Sequence, residues 1–96
     1  MIINMPNKHA TKTLVVPQVN INGTSRDELV QQLLTATHAM GVAKVALADA
    51  TPHGRDYQLS PAEYQPALDA HLTRLARLND IQDELLAIAD ALMEGK

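Results

Sequence analysis

The residues best suited to chemistry in this 96-residue chain fall in two short clusters, of which the first spans residues 20–26. Its amide, hydroxyl and guanidinium side chains belong to Asn20, Asn22, Thr24, Ser25 and Arg26. We expect a helix to begin within this cluster, and the free N–H groups of a helix N-terminus attract anions such as phosphate. The fork of donors on Arg26 also suits a phosphate. The cluster predicts an anion-binding site, and an ordinary helix cap with an exposed arginine is the alternative.

The second cluster places an imidazole, a guanidinium, a carboxylate and a phenol within residues 53–57. His53 and Tyr57 have flat rings that can stack on a base, and Arg55 can pair with a phosphate. Loops carry such groups for function more often than helices do. The alternative is a structural turn, in which Asp56 fixes Arg55 and Tyr57 covers the end of a hairpin.

The sequence predicts a binding protein and not an enzyme. It has no Gly-rich phosphate loop, no HExxH motif and no nucleophile elbow. It also has no Cys, which excludes thiolate metal sites and Cys nucleophiles. Of its four histidines, His71 is predicted to be a core or interface histidine with one satisfied nitrogen, because Arg74 and Leu75 are not metal ligands. We therefore expect no metal site, no cofactor and no catalytic residue.

Charge and hydropathy limit the partners. The net charge of −3 disfavours DNA as a partner. No apolar run approaches the ~20 residues that a membrane span needs. The N-terminal residues lack the apolar region of a signal peptide, and the lack of Cys fits a reducing compartment. These features predict a cytoplasmic protein without a membrane partner.

The periodicity of the chain predicts an all-α fold, a long antiparallel helical hairpin with an extended N-terminal segment. The expected parts are an extended arm over residues 1–23 and a hairpin over 24–96, with a helix at about 25–50, a loop at 51–59 and a helix at about 61–93. Apolar residues of the first helix recur at steps of four and three, at Leu29, Leu33, Ala36, Met40, Ala43, Leu47 and Ala50. The second helix keeps this rhythm with Tyr64, Leu68, His71, Leu75, Leu78, Gln82, Leu85, Ala89 and Leu92.

Local signals set the helix ends. Thr24 or Ser25 is predicted to cap the first helix, and Ser60 the second, where Pro61 and Glu63 complete the signal. Pro66 should separate or kink the first turn of the second helix, because its ring clashes with the carbonyl four residues before it. Gly41 within the first helix predicts close contact between the helices, and a functional hinge is the alternative.

The apolar stripes are too wide for two helices alone. Leu34, Val45, Leu72, Ile81, Leu86 and Ile88 lie beside the main stripes. Because burying a Leu or Ile contributes ~1.5–3 kcal/mol, we expect the hairpin to associate with copies of itself in a helical bundle. Such an assembly can bring residues 20–26 of one protomer against residues 53–57 of another, which would form the binding site between subunits.

The pairing of residues 20–26 with residues 52–57, followed by a long helix, resembles small bacteriophage-encoded helical proteins over residues 18–94. By analogy of size and architecture it resembles the phage anti-CBASS and anti-Thoeris sponges. The resemblance implies a protein of the host bacterial cytoplasm that suppresses antiviral defence. Such a protein would sequester a nucleotide immune second messenger, a cyclic oligonucleotide or an ADP-ribose-type signal, at inter-subunit sites. The alternative is a non-enzymatic helical interaction or adaptor protein that binds a host or phage protein.

Overall fold

The computed structural model describes residues 14–95, and two long α-helices form an antiparallel hairpin within them. Helix α1 spans Arg26–Asp49 and helix α2 spans Tyr64–Met93, with 3₁₀ turns at Gly54–Tyr57 and Pro61–Glu63 between them. The described residues contain no β-strand. The predicted all-α hairpin is therefore confirmed, whereas the first half of the predicted arm, residues 1–13, lies outside the described residues.

Helix α1 begins at a side-chain cap, as the sequence predicts. Ser25 Oγ accepts a hydrogen bond from the backbone N–H of Glu28 at 3.1 Å and donates one to Glu28 Oε1 at 3.2 Å. Ser25, and not Thr24, is thus the N-cap. The carboxylates of Asp27 and Glu28 lie in the first turn, where they complement the positive end of the helix dipole.

Helix α2 begins three residues later than predicted, and the predicted cap is wrong. The side chain of Ser60 makes no capping hydrogen bond; its carbonyl instead accepts from the backbone N–H of Glu63 at 2.9 Å in a 3₁₀ turn. Pro66 gives the physical reason, because in a continuous α-helix its ring would clash with the carbonyl of Ala62. With the helix starting at Tyr64, Pro66 falls in the first turn, where its missing N–H leaves no hydrogen bond unmade.

Direct contacts fix the antiparallel register of the two helices. The imidazole Nε2 of His71 lies 2.8 Å from the carbonyl oxygen of Leu47, near the loop end of the hairpin. Halfway along, a methyl group built on Gly41 would lie 3.0 Å from Gln82 Nε2. The predictions of a satisfied core histidine at position 71 and of close helix contact at Gly41 are both confirmed.

The hairpin is a single layer of helices with a thin core. Its Cα atoms extend only 15 Å along the shortest principal axis. Within residues 14–95 only Ala89, Leu92 and His71 are buried. Many larger apolar side chains remain exposed: Val15, Ile21, Val42, Val45, Leu59, Leu72, Ile81, Leu86 and Met93. Domains usually bury their apolar faces between two packed layers of secondary structure. The hairpin supplies only one such layer.

Candidate functional site

The first predicted cluster lies in an open cleft at the N-terminus of α1. The cleft has a volume of about 520 Å³. Its lining residues are Val19, Asn20, Ile21, Gly23, Ser25, Arg26 and Asp27. Asn22 and Thr24 are exposed and are not among the lining residues. The cleft therefore brings together three of the five predicted ligand-binding residues of this cluster.

Two of those three side chains already serve the backbone. Asn20 Oδ1 accepts from the backbone N–H of Asn22 at 3.0 Å, and the Asn20 carbonyl accepts from Gly23 N–H at 3.1 Å, so that residues 20–23 form a turn. The Ser25 hydroxyl is held by Glu28. Arg26 is exposed at the cleft, and the carboxylate of Asp27 lies beside it. An anion here would meet one guanidinium and one carboxylate.

The second predicted cluster lies at the opposite end of the hairpin. His53 and Arg55 are exposed on the 3₁₀ turn, and the Tyr57 ring packs against Tyr64 with centroids 5.9 Å apart and planes tilted by 53°. Tyr57 therefore packs against the first residue of α2. None of the three clefts described within residues 14–95 is lined by His53, Arg55 or Tyr57.

The length of α1 separates the two clusters. A helix of 24 residues is ~36 Å long, and Arg26 and the 53–57 turn lie at its two ends. The structure of one protomer does not bring them together. A joint site for a nucleotide would need a second chain.

A polar bridge between the helices was not predicted from the sequence. Lys44 Nζ donates to Asn79 Oδ1 at 2.7 Å and to Gln82 Oε1 at 2.8 Å. Gln82 Nε2 in turn donates to the Thr37 carbonyl oxygen at 3.1 Å. In the sequence, Gln82 interrupts an otherwise largely apolar stripe, and this polar residue was the one feature that could have indicated the bridge. The bridge fixes the register at the middle of the hairpin.

One side of the hairpin, beside this bridge, forms an open apolar groove of about 380 Å³. The groove is lined by Leu34, Thr37, His38, Gly41, Val42 and Val45 of α1 and by Gln82 of α2. At the N-terminal end of α1, Met93 of α2 and Val30 of α1 line a second, shallow cleft. Leu72, Asn79, Leu86 and Met93 recur every seven residues, so they form one stripe of α2 on the same side. We call the surface formed by Leu34, Val42, Val45, Leu72, Leu86 and Met93 the open face.

The opposite side of α2 has a different character. Its stripe is formed by Arg74, Arg77, Ile81, Glu84 and Ile88, which follow one another at steps of three and four. Followed at the same steps of three and four, the open-face stripe of α2 includes Asp83 and Asp90, so it carries two formal charges against three. The residues that line the groove itself carry none. Depletion of charge is the compositional mark of the core of a protein interface. The open face is therefore the better candidate for a contact surface.

The described residues contain no group of three or more His, Cys, Asp or Glu side chains placed to hold a metal ion. No helix within the described residues is both long enough and apolar enough to cross a membrane. No protein-family model, curated protein or solved structure matches this chain.

Proposed function

We propose that this protein is a non-enzymatic helical interaction protein that works by packing its open face against the helices of a partner. The single observation that carries this proposal is the apolar groove beside Gly41, whose lining residues carry no formal charge. Leu72, Leu86 and Met93 are exposed on the neighbouring helix α2. An amphipathic helix binds such a groove by placing its apolar side chains at steps of three, four and seven residues.

The exposure of these side chains supports a contact role. Val45 is 65% exposed and Met93 is 52% exposed, although both belong to well-formed helices. Scattered apolar residues are normal on a protein surface, but a contiguous patch indicates an interaction site. Here Val42 and Val45 line one groove of α1, and Leu72, Leu86 and Met93 recur at steps of seven or fourteen residues along α2.

Site-specific photo-crosslinking in living cells tests this function. A photoreactive amino acid is placed at Leu86, on the open face, or at Ile81, on the charged side of the same helix. The two positions are matched, since Leu86 is 40% and Ile81 is 44% exposed, and five residues separate them by about 140° around the helix. We expect a discrete crosslinked species from position 86 and none from position 81. Absence of any product at position 86 would reject the function.

A second candidate function is capture of a phosphorylated nucleotide, as in the signal-sequestering proteins that the sequence resembles. The observation in its favour is the cleft of about 520 Å³ that joins Arg26 to the N-terminus of α1. The dipole and the guanidinium would both attract a phosphate. The neighbouring Asp27 carboxylate opposes this attraction, and for that reason we place this function second.

Thermal unfolding with a panel of cyclic oligonucleotides and ADP-ribose isomers tests the second function. A ligand present at 100 times its dissociation constant should stabilise the protein by ~2.7 kcal/mol. Arg26→Ala should abolish this gain, whereas Arg74→Ala, in the middle of α2, should keep it. If Arg55→Ala also abolishes the gain, the two clusters meet between subunits. If no ligand raises the melting temperature, nucleotide capture is rejected.

A further inference from the structure

We propose that the partner of the open face is a second copy of this chain, and that two hairpins form a four-helix bundle. This inference rests on the proposed function, because it names the partner of the same surface. In the bundle, α1 of each copy lies over α2 of the other. A two-fold axis parallel to the helices gives this arrangement, in which all neighbouring helices run antiparallel.

The thin core of the hairpin is the first argument for a second copy. Within residues 14–95 only Ala89 and Leu92 are buried apolar residues. A fully buried Leu or Val contributes only ~1.5–3 kcal/mol, against a conformational entropy cost of ~1 kcal/mol or more for every ordered residue. The other apolar side chains between the helices are only half-buried, so a partner that covers them further would stabilise the fold. A second copy is the one partner that is present wherever the chain is made.

The size of the open face is the second argument. Helix α1 is ~36 Å long, and two helices side by side are ~20 Å wide, so the face offers roughly 700 Å² per chain. Standard interfaces bury ~800 Å² per partner. A hairpin of the same dimensions covers the whole face, whereas a single helix would leave about half of it exposed.

Shape is the third argument, because the face carries both a depression and a ridge. The depression lies along α1 from Leu34 to Val45, beside Gly41 and the Gln82 amide that packs against it. The ridge on α2 includes Leu86, one helical turn from the Gln82 side chain that borders the groove. Rotation about a two-fold axis parallel to the helices does not change the height of a residue along the bundle. The ridge of one copy therefore lies at the same height as the depression of the other copy and faces it. Such self-complementarity is what an isologous interface requires.

Sedimentation of the full chain and of matched variants tests the dimer. Wild-type protein at about 10 µM should sediment with twice the chain mass of 10.4 kDa. Leu86→Glu should raise the dissociation constant on the order of 100-fold or more, because each of the two copies would bury one carboxylate in the interface. Ile81→Glu places the same charge at a position of similar exposure on the other side of α2 and should leave the dimer intact.

A milder variant separates loss of association from loss of folding. Leu86→Ala keeps a strong helix former at this position and should weaken the dimer about tenfold or more. Its helical circular dichroism should return as the protein concentration is raised. A folded wild-type monomer at 10 µM, or dissociation by Ile81→Glu and not by Leu86→Glu, would overturn the dimer. A monomer that crosslinks to a different protein from position 86 would overturn the second copy while leaving the interaction function in place.

Discussion

Gln82 of α2 lies against Gly41 of α1, so close that a methyl group at position 41 would come within 3.0 Å of the Gln82 amide nitrogen. The same amide nitrogen donates to the Thr37 carbonyl, and the amide oxygen accepts from Lys44. Gln82 thus holds α1 at two points, one on each side of the glycine. The glycine leaves room for the amide, and the amide fills the space that a larger residue would otherwise occupy.

The first prediction concerns the coupling of these two residues. In the wild-type protein, Gly41→Ala should change the free energy of unfolding by less than about 0.5 kcal/mol, because the gain in helix propensity is offset by displacement of the Gln82 amide. In a Gln82→Ala background, the same change should stabilise by about 1 kcal/mol. Urea unfolding of the four variants measures both values. Equal effects of Gly41→Ala in the two backgrounds would show that the close contact has no energetic role.

The second prediction concerns His71. The Leu47 carbonyl lies in the last turn of α1, where it has no N–H four residues ahead within the helix; it accepts from Ala50 N–H and contacts His71 Nε2. His71→Leu keeps much of the volume but removes the donor, and should destabilise by about 1–2 kcal/mol. Chemical denaturation measures this loss, and His53→Leu on the exposed loop serves as control, with an effect of less than about 0.5 kcal/mol. Equal losses for the two variants would contradict a specific role for His71.

The third prediction concerns the cap of α1. Ser25→Ala should cost about 1 kcal/mol, because the Glu28 N–H loses its side-chain acceptor. Thr24→Ala, one residue earlier, should be close to neutral. Thermal unfolding of the two variants decides between the neighbouring candidates. A larger loss from Thr24→Ala would show that the cap lies at position 24.

The fourth prediction concerns the start of α2. Pro66→Ala should allow the turn at Pro61–Glu63 to become α-helical, and Ser60 should then act as the N-cap. Ser60→Ala should therefore be nearly neutral in the wild-type protein but cost about 1 kcal/mol in the Pro66→Ala background. Denaturant unfolding of the single and double variants measures this difference. A cost that is equal in both backgrounds would mean that Pro66 does not set the helix start.

The sequence predicted the helices well because their signals are local and repeated. The four-three spacing of apolar residues and the Ser25–Glu28 pair were sufficient to place α1 within one residue at each end. The start of α2 was placed three residues too early because two local signals conflict there, although the separate first turn predicted from Pro66 is present as the 3₁₀ turn Pro61–Glu63. Ser60 and Pro61 indicate a helix, while Pro66 prevents a regular one, and the steric cost of the proline ring exceeds the contribution of a cap.

The candidate sites were harder to predict, because they depend on contacts across the hairpin. Residue type alone did not show that Tyr57 packs on Tyr64, or that the Asn20 side chain is used within its own turn. The Lys44–Gln82 bridge joins residues 38 positions apart and needs the register of the two helices. Periodicity indicates which face of each helix is apolar. It does not indicate how the two helices are rotated about their axes or shifted along them relative to each other.

The placement of the tyrosines makes the protein an unusual spectroscopic subject. Tyr57 and Tyr64 are the only Tyr residues, and the chain has no Trp or Phe, so near-ultraviolet absorption and intrinsic fluorescence arise from one pair of rings at the connecting end of the hairpin. Fraying at the other end, around Arg26 and Met93, would leave those signals unchanged while far-ultraviolet dichroism falls. The difference between the two optical signals on heating will therefore show from which end the hairpin opens.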